Sequence, residues 1–189
     1  VIVSLDDVNR LRGNVARAHA LAAQRFRDAF AESPLPPSAH LEMLAAALLE
    51  TAEGVRFDGQ LPSFANRDHA IFRHFHIGRT PSALLEYWLI VSEIFATSSW
   101  AMTRLVATSE EYDEALRRMT SPQIVRAIII ELLPGVEWRD DGTAMLDVTL
   151  YTRATEERIE RRQLFLDAHQ ELHFHARSLL AEGRGGIEA

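Results

Sequence analysis

Cysteine is absent from the 189 residues, which removes disulfides, thiolate zinc sites, iron–sulfur ligation and cysteine nucleophiles together. Lysine is absent too, so all 20 basic residues are Arg, and Schiff-base chemistry and a phosphate-loop lysine are excluded. Positive charge is in deficit: 27 acidic side chains leave a formal charge of -7, a balance unsuited to neutralising phosphates. Nucleic acid is not an expected partner. Gly-rich phosphate loops and a Gly-x-Ser-x-Gly nucleophile elbow are missing as well. So is a long charge-free apolar run. The most apolar stretch, 83–107, carries Glu86, Glu93 and Arg104, each costing about 2.5–3.5 kcal/mol at mid-membrane, so it predicts a buried helix and no membrane partner. Residues 1–7 show no basic segment followed by an apolar one, which makes the cytoplasm the expected location.

What is present is ordinary globular material, 47% hydrophobic and 25% charged, enough for one domain with a real core. Ser4 and Asp7 have capping-box form, and Val8, Leu11, Val15, Ala18, His19, Ala22, Phe26 and Phe30 recur at helical spacing. Pro34, Pro36 and Pro37 break that helix, and Ser38 caps a second that runs to Gly54. Val55 to Phe57 can form a short strand. His69 to Ile77 reads as a short helix, and Thr80-Pro81 starts a long apolar one reaching about Val106. Thr108 and Glu111 form a capping box for a polar helix ending near Met119. Ser121-Pro122 opens an aliphatic helix that Pro134-Gly135 closes.

Alternation around Asp140-Asp141-Gly142 predicts a β-hairpin, and its acidic tip argues against a winged-helix DNA reader. Thr155, followed by Glu156 and Glu157, caps a last helix that stops at Gly183. The predicted fold class is mainly α. It is a single-domain bundle over 1–183 with about six to seven helices, one small hairpin at about 136–151 before the C-terminal helix, and a loose tail at 184–189.

Eight histidines carry the chemistry that remains, since imidazole both ligates metals and moves protons near neutral pH. On a helix, His169 and His173 share one face, at a spacing that chelates one ion. With His19 on the apolar face of the first helix and Glu93 on the long apolar one, they form a candidate metal set suited to Zn, Fe or Mn. Glu86 lies about 10.5 Å of helical rise from Glu93, too far to share that ion. No Glu is followed by His three residues later, so a ferritin-like di-iron centre is disfavoured. The same histidines also read as structural residues, hydrogen-bonded to carbonyls or carboxylates.

A second group, Arg73, His74, His76 and Arg79, is placed to receive an anionic ligand, and Trp88 and Trp100 give the long helix adaptable aromatic surface for an apolar one. Two functions follow. One is a helical binding or regulatory module that self-associates as a dimer or binds a small apolar or anionic ligand. The other is a metal-dependent enzyme with a mononuclear His/carboxylate site in the bundle core.

Overall fold

The protein is described by a computed structural model covering residues 1–32, 35–36, 38–61, 69–95, 102–126, 131–154 and 156–184. These residues form a mixed α/β structure that divides into two compact units, Asp6–Ala96 with Ala168–Glu171, and Val1–Leu5, Thr97–Asp167 and Leu172–Ala189.

The unit built on Asp6–Ala96 begins with helix α1 (Leu5–Glu32), whose buried stripe of Val8, Leu11, Asn14, Ala18 and Ala22 repeats every three to four residues. Phe30, expected on that stripe, is 62% exposed. Asn14 is buried because its amide donates to Glu53 at 2.8 Å. Helix α2 (Ala39–Thr51) is followed by strand β1 (Val55–Phe57), which pairs antiparallel with β2 (Phe75–Ile77). Helix α3 (Pro81–Phe95) starts as its sequence predicts, with the Thr80 hydroxyl accepting from the Ala83 N–H at 3.1 Å and Pro81 in the first turn. Helix α2 packs on α3 and both meet β1.

One close approach fixes that packing. Glu86 of α3 is 4% exposed, and its carboxylate accepts the Glu53 and Gly54 N–H groups at 2.9 and 2.6 Å. A Cβ on Gly54 would stand 2.6 Å from the Ala83 Cβ, so only glycine lets the chain reach that carboxylate.

The other unit is a six-stranded sheet ordered β3-β6-β7-β8-β4, with β5 also on β6. The strands are β3 (Met102–Leu105), β4 (Gln123–Ile124), β5 (Gly135–Trp138), β6 (Ala144–Arg153), β7 (Glu157–Leu166) and β8 (Leu172–Gly183). Registers Tyr151↔Ile159 and Ile159↔Ala181 put these three on one face, where they pack with Tyr112 and Ala115 of helix α4 (Ser109–Arg118) and with Met119, which caps its end. The predicted N-cap of α4 is present, with Thr108 accepting from the Glu111 N–H, but Glu111 reaches back one residue further than a capping box, accepting from the Ala107 N–H at 2.7 Å.

The mainly helical bundle is overturned by this sheet. The predicted C-terminal helix is instead the β7–β8 hairpin; its Arg, Glu, Ala and Leu content favours helix, and pairing with distant β6 overrides that preference. The small hairpin at 136–151 exists as β5–β6, yet β6 is an inner strand of the sheet, paired with β3, β5 and β7, rather than part of an appendage. Gly142, at φ 86, makes its turn. The Ser121-Pro122 segment forms the two-residue β4, with 127–130 outside the described residues. The long helix is α3 as far as Phe95; 96–101 lie outside the described residues, and Met102–Leu105 is a strand. His69–His74 is a 3-10 turn leading into β2. The predicted Thr155 cap, the Pro34 and Pro37 breaks and tail residues 185–189 lie outside the described residues. No helix among the described residues is long and apolar enough to cross a membrane.

Candidate metal centre

Hairpin geometry assembles the cluster. Strand β7 ends at Leu166 and β8 starts at Leu172, with Leu166↔Leu172 and Phe165↔His173 in register. Opposed residues share a sheet face, so His173 stands on the face of Phe165. Gln170 takes a left-handed φ of 65, which lets the chain reverse without glycine.

Asp167, Glu171 and His173 each present one ligating atom, and these atoms lie within 4.8 Å of one another. The His173 Nε2 and the Asp167 Oδ2 are 2.8 Å apart. Asp167 and Glu171 are half-buried, while the His173 side chain is 47% exposed. Atoms bound to one tetrahedral ion at bond lengths of about 2.0–2.2 Å lie about 3.4 Å apart, so small side-chain movements close the site. One imidazole nitrogen and two carboxylates suit Zn, Fe or Mn, the metals expected from the sequence.

Of the four metal residues expected from the sequence, His173 belongs to this cluster. His19 and Glu93 pair with each other at 2.8 Å, with 46% and 37% of their side chains exposed. His169 is exposed in the β7–β8 turn. An inward-facing His19 and His169 in a bundle core is therefore overturned, because one lies on the open side of α1 and the other is not on a helix at all.

Asp167 and Glu171 were missed. The signal for Glu171 is Glu171-Leu172-His173, a period of two that puts both side chains on one side of a strand; read at helical spacing, it pairs His173 with His169 instead.

The anion-site residues have other surroundings. Arg73, His74, His76 and Arg79 are exposed. His74 and His76 both hold Asp58, at 3.0 and 2.8 Å, and these two hydrogen bonds keep the Asp58 carboxyl below the ordinary carboxylate range. Trp88 is buried at 9% exposure, and Trp100 lies outside the described residues.

No protein-family model matches the chain, and no curated protein or solved structure matches it either.

Proposed function

We propose that the β7–β8 hairpin binds one divalent transition-metal ion through Asp167, Glu171 and His173, in a metal-dependent enzyme with a mononuclear His/carboxylate site. The observation that carries this reading is the convergence of three ligating side chains within 4.8 Å. A site with three protein ligands leaves coordination positions for water and substrate, and the ion then supplies Lewis-acid activation of what binds there. The chain does the rest. Asp167, 2.8 Å from the His173 Nε2, orients the ring before an ion binds, and the half-exposed imidazole leaves the site open to solvent.

A helical ligand-binding module is not what the chain is, since the hairpin and its sheet neighbours make the fold α/β. Zinc titration calorimetry on the intact chain and on His173→Ala and Asp167→Asn tests the proposal. The expected result is a zinc-binding event weakened at least about tenfold in both variants, in the range that outer partners alone are worth. Unchanged binding in both would remove the hairpin from the function.

A further inference from the structure

We infer that Asp58, His74 and His76 form a second, separate site for a divalent transition metal, of the kind that prefers imidazole. The inference does not depend on the hairpin site. It starts from register: Arg56 faces His76 and Phe57 faces Phe75 across the β1–β2 ribbon, and the Asp58 N–H donates to the His74 carbonyl at 3.1 Å. Asp58 therefore continues the ladder opposite His74, so Asp58, His74 and His76 share one face of the ribbon.

On that face the carboxylate lies between the two rings. Its Oδ1 meets the His74 Nδ1 at 3.0 Å and its Oδ2 meets the His76 Nε2 at 2.8 Å. The anion that two imidazoles would recruit is supplied by the chain itself, which turns the group from an anion receptor into a cation ligand set. Two nitrogens and one oxygen match Zn(II), Ni(II) or Cu(II) better than Mg or Ca.

The ribbon's other face is anchored. Phe75 is 2% exposed, with Phe57 at 4.9 Å and Tyr87 at 5.1 Å between ring centroids. The backbone is thus held while the ligands keep room to adjust: His74, whose ring also meets the Phe57 ring edge-on at 6.1 Å between centroids, is 53% exposed and His76 61%. That freedom is needed, because these three atoms are not gathered within 4.8 Å as the hairpin trio is, and ring rotation must bring the nitrogens together. Arg56, opposite His76, adds positive charge near the ion; Arg56→Ala should tighten binding by about 2- to 5-fold, the range of an exposed charge pair.

Equilibrium dialysis against zinc with elemental analysis tests the inference on the intact chain at neutral pH. The wild type should hold two ions, the His74→Ala/His76→Ala chain one, the Asp167→Asn/His173→Ala chain one, and the quadruple variant none. Retention of the wild-type stoichiometry by His74→Ala/His76→Ala overturns the ribbon site. So does complete loss in Asp167→Asn/His173→Ala, which would leave the hairpin as sole site. A hairpin pair that changes nothing while the ribbon pair abolishes binding supports the ribbon and contradicts the hairpin proposal. Circular dichroism melts confirm that the variants are folded, and the exposure of both histidines predicts Tm values unchanged from the wild type.

Discussion

The His173 Nε2 stands 2.8 Å from the Asp167 Oδ2 across the turn that joins β7 to β8, close enough to share a proton and too close to hold a metal between them unchanged. An ion that binds the His173 Nε2 must therefore replace this contact, with the ring's one proton carried on Nδ1.

Metal affinity at the hairpin is expected to weaken with acid, because protons compete with the ion for an imidazole nitrogen and two carboxylates. Calorimetric zinc titrations repeated at falling pH measure the slope. A constant that does not fall with acid would mean that the ion binds elsewhere.

Glu86 predicts a stability effect with a defined sign. Burial raises its carboxyl above the ordinary glutamate value, against the opposing N–H of Gly54. A raised folded-state pKa means that the folded chain binds this proton more readily, so the contribution is complete below the unfolded value and is lost as pH rises through the folded one. Compared with Glu86→Gln, the wild type should lose stability between mildly acid and neutral pH. Urea unfolding at both ends of that window shows it. Glu86→Ala strands the Glu53 and Gly54 N–H groups and should cost about 2–4 kcal/mol.

Gly54 should tolerate no side chain. Its Cβ would meet the Ala83 Cβ at 2.6 Å and the Ala83 Cα at 3.0 Å, and the latter is backbone that cannot step aside. Gly54→Ala is expected to destabilise by about 1–3 kcal/mol through overpacking. Thermal melts of this variant beside Gly13→Ala, whose Cβ meets nothing within 4 Å, separate the effect from a general one.

Arg161 ties a loop to the sheet. One guanidinium nitrogen donates to the Glu131 carbonyl at 2.8 Å, reaches those of Leu132 and Leu133 at 3.4 and 3.3 Å, and meets the Thr149 hydroxyl at 3.1 Å. Arg161→Met keeps much of the stem and removes the donors, and should cost about 1.5–3 kcal/mol in urea unfolding. Hydrogen exchange should rise first at Leu132 and Leu133.

Helix starts were legible from sequence wherever a local device makes them. Thr80-Pro81 and the Thr108/Glu111 pair work through contacts three or four residues apart, and both helices start as read. The Asp140-Asp141-Gly142 turn is equally local: Gly142 takes positive φ, and Asp141 accepts from the Thr143 N–H and hydroxyl at 2.9 and 2.7 Å. The β7–β8 hairpin was illegible for the opposite reason. Its turn, Ala168-His169-Gln170-Glu171, has no glycine or proline, and register shifts near Ile159/Glu160 and Gln163/Leu164 break the two-residue period. The helical spacing of His169 and His173 then stood in for the alternation of Glu171 and His173. That spacing includes His173 of the candidate cluster and points to partners on elements the chain does not have.

Anomalous scattering at the zinc edge from a zinc-soaked crystal tests the central claim most directly. The account predicts a peak about 2.0–2.2 Å from a His173 ring nitrogen and from oxygens of Asp167 and Glu171. A fully soaked crystal with no peak at that hairpin, and with His173 still hydrogen-bonded to Asp167, would contradict it.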